Sequence, residues 1–191
     1  MVSQIKVNEI IKQSGSSISI GESGDTINIG TTGDTINLAG SPPSVAGTNL
    51  FKATMSSSQT SVSSGAWTKA VFNTDVFDAD SVFDTSNYRF ITPAAGKYFF
   101  TAKLGIYPNT ANGSKCQTKY YKNGSEIANS VGSNVELAGS ETIISGIYLT
   151  SSIILDLAQN DYIEYYGRFI AASGTITFDS GGSFFSGYRI V

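Results

Sequence analysis

Short stretches of alternating hydrophobic and polar residues fill most of the chain after residue 50 and predict β-strands. These stretches are rich in Tyr, Phe, Ile and Thr and are separated by Gly, Asn, Ser and Asp, which is typical of strands joined by turns. The predicted strands are Leu50–Met55, Lys97–Tyr107, Lys115–Lys122, Glu141–Thr150, Tyr162–Ile170, Thr175–Phe178 and Phe184–Val191. Because this part shows no apolar period of 3.6 residues with helix caps, many short strands indicate an all-β sandwich or jelly roll.

Turn signals divide these strands. Asn123-Gly124 follows Tyr120-Tyr121-Lys122 and is a strong signal for a tight hairpin. The segments Asn109–Ser114, Ser130–Ser140 and Ser180–Ser183 are rich in Ser, Gly and Asn, and we predict them as surface loops.

A different pattern, a nine-residue repeat, occupies residues 17–40. Each unit is a short alternating strand closed by a turn of the form Gly-x-x-Gly-Asp, in which glycine supplies positive φ. Alternation places six aliphatic side chains on one face: Ile18, Ile20, Ile27, Ile29, Ile36 and Leu38. So few side chains cannot close a core alone, and stacking against other copies would bury them. The repeat therefore predicts a trimeric stem, a β-prism or β-helix.

Two other structures could account for the repeat. A flexible Gly/Ser linker is disfavoured by the strict aliphatic alternation. A calcium-binding β-roll also repeats every nine residues, but it separates the Asp from the preceding Gly, whereas Gly24-Asp25 and Gly33-Asp34 are adjacent.

The patterns together predict four segments. Residues 1–16 precede the repeat, are open to either strand or short helix, and are a plausible attachment segment. Residues 17–40 form the stem, residues 41–49 a linker stiffened by two prolines, and residues 50–191 the jelly-roll head.

Composition narrows the classes of partner. The 191 residues contain 12 basic and 15 acidic side chains, a net charge of −3 with no basic cluster, which argues against nucleic-acid binding. No apolar run approaches the roughly 20 residues that span a bilayer, so we expect no membrane insertion. The first residues carry no apolar secretion-signal core, so we expect no classical export.

Candidate catalytic chemistry is sparse. The chain has no histidine, which removes the usual catalytic triads and most catalytic zinc sites. Cys116 is the single cysteine, so no intrachain disulfide can form, and we expect a small buried hydrophobe there. Carboxylates that could pair for glycan hydrolysis are scattered over predicted strands and turns: Glu136, Glu141, Asp156, Asp161 and Glu164. We therefore expect that the protein is not an enzyme.

Four aspartates fall within ten residues: Asp75, Asp78, Asp80 and Asp84. Calcium needs several oxygen ligands close together, and Asp78, Asp80 and Asp84 are the candidate ligands. Apolar residues intervene, so the sequence favours a solvated acidic loop, and we expect no cofactor, with calcium as the alternative.

Several tyrosines could stack on sugars: Tyr107, Tyr120, Tyr121, Tyr165 and Tyr166. Alternation puts Tyr120 and Tyr121 on opposite faces, and likewise Tyr165 and Tyr166, so one of each pair belongs to the core. The outward partners could instead lie in a subunit interface.

The head resembles a known family at several points in the same order. Leu50-Phe51-Lys52-Ala53, the run from Tyr88 to Phe100 with Pro93 and Gly96, and Phe184–Ile190 match the globular head shared by the complement q subunit and tumour necrosis factor. The resemblance implies a trimeric, ten-stranded antiparallel jelly roll. Its head core or trimer interface would contain Phe90, Tyr98, Phe100, Phe185 and Tyr188.

The stem differs from a collagen stalk because it has no Gly-X-Y period. The short β-repeat and the opening Ile5–Ile10 look more like tailed-bacteriophage virion proteins. This second resemblance implies a homotrimeric fibre or spike on the virion, made in the host cytoplasm. Residues 1–16 would bind other virion proteins, and the head would bind a host-surface glycan or protein. The alternatives are a capsid decoration protein or head fibre, and a secreted signalling ligand of the tumour-necrosis type.

Overall fold

The computed structural model describes residues 49–110, 112–137 and 144–190, which form two antiparallel β-sheets of six strands each. The aliphatic stem residues Ile18 to Leu38 lie outside the described residues, as do the attachment segment 1–16 and the bulk of the linker. The described ranges contain no helix. Consequently, no helix within them could span a membrane.

Twelve strands make up the two sheets of the described head. Sheet A contains β1 (Phe51–Thr54), β2 (Gln59–Ser63), β4 (Thr74–Asp78), β7 (Gly96–Pro108), β10 (Ile147–Leu157) and β12 (Thr175–Arg189). Sheet B contains β3 (Thr68–Lys69), β5 (Phe83–Asp84), β6 (Arg89–Ile91), β8 (Gly113–Lys122), β9 (Ser125–Glu136) and β11 (Tyr162–Ala171).

Neighbouring strands in each sheet are mostly distant in sequence. Sheet A runs in the order β10-β7-β12-β1-β4 with β2 also paired to β12, and sheet B runs β5-β6-β11-β8-β9 with β3 also paired to β11. This arrangement is a jelly-roll-like sandwich, which confirms the predicted fold class of the head.

The core lies between the sheets and is dominated by aromatic rings. Alternate residues of β7 (Tyr98, Phe100, Ala102, Leu104 and Ile106) point inward and are fully buried. From sheet B, Tyr120, Ile163, Tyr165 and Phe169 pack against them. Each sheet therefore turns one face to the core and leaves the other face open, which is the period-two pattern that the sequence predicts.

Several predicted boundaries need correction. The sequence predicts separate strands at Thr175–Phe178 and Phe184–Val191 with a loop at Ser180–Ser183, but β12 is continuous there. Its register against β7 shifts between Asp179 and Phe184, so the polar residues form a bulge inside the strand. The predicted loop at 130–140 was also partly wrong, because β9 extends to Glu136. Polar composition alone does not distinguish such a bulge from a loop.

The predicted hairpin turn joins β8 and β9. Asn123 and Gly124 have φ values of 53° and 74°, the left-handed pair that a two-residue type I′ turn requires. Asp161, in the turn between β10 and β11, accepts hydrogen bonds from the Asn123 side chain (2.7 Å) and the Ala158 backbone N–H (2.8 Å). It also pairs with Lys122 at 2.7 Å, so one carboxylate ties two turns together.

We expect acid to weaken this link between the turns. The Lys122 and Asn123 hydrogen bonds hold the pKa of Asp161 below its ordinary value. The stabilisation is therefore fully present above the ordinary pKa of about 4 and is lost as the pH falls through the lower folded-state pKa. Asp161→Asn should lower the free energy of unfolding by up to about 1 kcal/mol at pH 7. Urea denaturation at pH 7 and at lower pH should show this difference shrinking below pH 4.

Asp156→Asn is the matched control, because the Asp156 carboxylate is 76% exposed and Lys97 is its single partner among the described residues. Its effect should be smaller at pH 7. An Asp161→Asn difference that stays constant between pH 7 and pH 3 would contradict the assignment.

Candidate interaction surfaces

The residues predicted for the head core or trimer interface divide into two groups. Phe90, Tyr98, Phe100 and Phe185 are fully buried within one copy of the head. The Tyr98 hydroxyl donates to the Ala94 carbonyl at 2.7 Å, so its polar end is satisfied inside the same chain. Tyr188 is 41% exposed and lies on the outer face of sheet A. Only Tyr188 of this set is therefore available to a second chain in the described head.

Tyr188 belongs to an apolar row that crosses three strands. Phe99 on β7 lies directly opposite both Ile154 on β10 and Tyr188 on β12. The Phe99 and Tyr188 ring centroids are 5.4 Å apart, and Ile154 is 62% exposed. The exposed ion pair Lys97–Asp156 lies beside this row, two residues further along β7 and β10. We call Ile154, Phe99 and Tyr188 the apolar row.

Sheet B presents a chemically different outer face, which carries aromatic rings and charges together. Tyr121 and Tyr166 stack on each other with centroids 3.9 Å apart, whereas Tyr120 and Tyr165 are buried beneath them. The predicted division of each tyrosine pair between core and surface is confirmed. Burial and the neighbouring Glu164 raise the pKa of Tyr166 to about 12, so its hydroxyl stays protonated at neutral pH.

Cations on this face are distributed among the rings. Lys119 Nζ lies 4.7 Å and the Arg168 guanidinium 5.9 Å from the Trp67 ring centroid, and Arg89 lies 4.5 Å from that of Tyr162. Five cations of sheet B and its turns have carboxylate partners: Lys69 with Glu164, Arg89 with Asp84, Lys115 with Glu136, Lys119 with Glu126, and Lys122 with Asp161. Arg168 has no carboxylate partner among the described residues.

The structure does not bring the three candidate calcium ligands into one site. The Asp78 carboxylate accepts from the backbone N–H groups of Val82 and Phe83, at 2.9 and 2.8 Å. Asp84 accepts from the backbone and side chain of Asn87, and these bonds lower the pKa of its carboxyl. Asp80 accepts from the Asn49 side chain. Among the described residues, no three His, Cys, Asp or Glu side chains group as metal ligands.

The other candidate chemical groups are dispersed over the head. Cys116 is buried under sheet B, and burial raises the pKa of its thiol to about 12. Glu136 and Asp161 lie in separate ion pairs, as does Glu164, and Glu141 is outside the described residues. Tyr107 lies on sheet A, in edge contact with Tyr148.

Sequence reasoning missed Phe99, Ile154, Trp67 and Arg168. Each occupies an outward position, and alternation could have indicated that much for the three that lie within strands. What alternation could not give is which outward residues from different strands become neighbours, because that depends on the strand order and register.

Similarity to known proteins is found among solved structures. No protein-family model matches the chain, and no curated protein matches it. Among solved structures, the globular domain of zebrafish complement 1qA protein is 16% identical, over 75% of this chain and 98% of that chain, with a TM-score of 0.45. Eiger TNF from S. frugiperda is 12% identical, over 74% and 90%, with a TM-score of 0.51. Murine APRIL is 10% identical, over 73% and 97%, with a TM-score of 0.47.

The likeness to Eiger TNF confirms that the head has a jelly-roll fold of this type. At 12% identity it establishes the fold alone.

Proposed function

We propose that the chain is a homotrimeric display protein whose heads associate through the outer face of sheet A. The observation that carries the proposal is the apolar row, where Ile154 is 62% and Tyr188 41% exposed although the two sheets of the head already enclose its core. Exposed apolar residues that are contiguous and bordered by charges are typical of an association site. If the contact relates neighbouring copies by a third of a full turn, three copies form a closed ring in which every apolar row is covered, and no open fibre forms. The family resemblance and the stem repeat of the sequence imply the same number of chains.

Display on a trimer would serve attachment to a repetitive surface. Three identical heads raise avidity without requiring tight binding at a single head. We propose that this surface is a host cell and that the chain is a fibre or spike of a phage virion, with residues 1–16 bound to other virion proteins. This assignment rests on the sequence resemblance of the N-terminal segment and stem. A capsid decoration protein or head fibre is the alternative within the same class.

A second candidate function is a secreted signalling ligand. The similarity of the head to Eiger TNF favours it, because both chains share the fold over most of their length. Such a ligand would also be a trimer, so the two functions differ in what the head contacts and where the protein is found.

The trimer is tested by solution mass. Light scattering of the full chain should give about three times 20.2 kDa. Ile154→Arg places a charge in the apolar row and should weaken association at least tenfold, shifting the mass toward that of a single chain. Ala172→Arg adds the same charge at an exposed position on the turn after β11, and should leave the trimer intact. A wild-type chain that is a monomer at micromolar concentration would contradict the proposal.

The virion assignment is tested by labelling intact particles with an antibody against residues 50–191, followed by electron microscopy. Label at the tail tip or fibres supports attachment to a host, and label over the capsid supports a decoration role. Absence of the protein from purified particles would contradict both virion roles and leave the signalling ligand.

A further inference from the structure

A polar row crosses sheet B beside Trp67. Arg168 on β11 lies opposite Gln117 on β8, and Gln117 lies opposite Asn134 on β9. Cys116 and Thr118 on either side of Gln117 point into the core and are fully buried, so Gln117 points outward. Trp67 precedes β3, which pairs with β11 at Thr68 and Gly167, and this brings the indole next to Arg168.

Two side chains of this row, Arg168 and Gln117, have polar atoms without a hydrogen-bond partner among the described residues. The Arg168 Nε donates to the Gly65 carbonyl at 2.7 Å, which fixes the side chain but leaves the two terminal nitrogens of the guanidinium unbonded. Gln117 is 9% exposed, and its side-chain amide makes no hydrogen bond to any described residue, but the amide atoms still reach solvent. Because this amide is accessible to water, it is also accessible to the polar groups of a ligand.

The charge balance of the face restricts what that molecule can be. Among the described residues of this face, five of the six cations are neutralised by carboxylates, which leaves one positive charge without a carboxylate partner, at Arg168. That balance suits a singly charged group and disfavours a dense polyanion such as nucleic acid. A guanidinium with its outer edge free matches a planar carboxylate, which it can bind through two parallel hydrogen bonds.

We propose that Trp67, Gln117, Asn134 and Arg168 form a binding site for the sugar-acid units of a carboxylated polysaccharide. Arg168 would hold the carboxylate, the two amides would bind ring hydroxyls, and Trp67 would provide an apolar surface beside the sugar ring. The row lies on an open sheet face, which accommodates an extended polymer. This inference rests on the proposed attachment function and specifies the class of surface that the head recognises.

The test is isothermal titration of the full chain in 0.15 M NaCl with polygalacturonate, a polymer of a sugar acid. Neutral dextran and dextran sulfate are the comparison polymers. Wild type should bind polygalacturonate and should bind both other polymers at least tenfold more weakly. Arg168→Gln should weaken the binding of polygalacturonate at least tenfold. Arg168→Lys should also weaken it, because lysine keeps the positive charge but cannot donate the two parallel hydrogen bonds of a guanidinium.

Two further variants make the result specific to this site. Gln117→Leu keeps the volume and burial but removes the amide, and should weaken binding about threefold to tenfold. Lys122→Gln removes one positive charge from the far end of β8 and should change the affinity less than twofold. Urea denaturation of each variant shows whether the fold is retained.

Equal binding of dextran sulfate or dextran, or unchanged binding by a folded Arg168→Gln protein, would overturn the proposal. So would a wild-type trimer that does not bind polygalacturonate, and that result would leave the trimer proposal standing. Specific binding by a chain that is monomeric would support this site and contradict the trimer instead.

Discussion

Replacing Phe185 with alanine is expected to lower the free energy of unfolding by about 3–5 kcal/mol, since the surroundings of a deleted core ring collapse only partly. Phe185 is fully buried where β12 faces sheet B. Its ring centroid lies between 5.1 and 6.2 Å from those of six other rings: Phe51, Phe72, Phe83, Phe100, Tyr120 and Tyr165. Phe51 and Phe100 belong to sheet A, Phe83, Tyr120 and Tyr165 to sheet B, and Phe72 to the segment between β3 and β4. The cavity would therefore remove contacts between the two layers at the centre of the core.

The measurement is urea denaturation of wild type and variant at one fixed protein concentration, because association would make the stability concentration-dependent. Phe77→Ala is the matched control. It removes the same side chain from a position that is 43% exposed on the edge strand β4, and should cost less than about 1 kcal/mol. Similar losses for the two variants would contradict the assignment of Phe185 to the centre of the core.

The long strands β7, β8 and β11 could be predicted because their alternation extends over many residues, whereas β9 is absent from the predicted strands and β10 runs from Ile147 to Leu157 and not over the predicted Glu141–Thr150. In β7 the inward residues Tyr98, Phe100 and Ala102 alternate with the outward Phe99 and Thr101, and the predicted and observed strands agree within one residue at each end. The short strands β3 and β5 have two residues each, too few for a period to be recognised. The predicted count of ten strands is exceeded for that reason.

The candidate sites depended on information that a single strand does not contain. Alternation assigns one tyrosine of each pair to the surface without showing which one. The 3.9 Å stacking of Tyr121 on Tyr166 results from a two-residue diagonal between β8 and β11. Likewise, alternation alone places both Lys119 and Arg168 on the outer face of the sheet. Only the strand register shows that Lys119 has Glu126 beside it whereas Arg168 has Gln117.

Gly187→Val is expected to lower the free energy of unfolding by about 1–3 kcal/mol, because a side chain has no room at this position. Gly187 lies in the middle of sheet A, opposite Phe51 on one neighbour and Phe100 on the other. A Cβ there would lie 2.6 Å from the Phe100 ring and 2.7 Å from the Phe99 carbonyl oxygen. The ring could rotate away, but the carbonyl belongs to the backbone of β7, so relief would require the two strands to separate.

The structure identifies the Phe100 ring and the Phe99 carbonyl as the neighbours that occupy the space beside Gly187. Gly181→Val in the same strand is the control, since the nearest atom to a Cβ there belongs to the side chain of Asp179 at 3.1 Å and Gly181 is exposed. Urea denaturation should show a loss for Gly187→Val that exceeds the loss for Gly181→Val by at least about 1 kcal/mol. Equal losses would mean that β-branching in the strand causes the effect, and the contact with β7 would not be limiting.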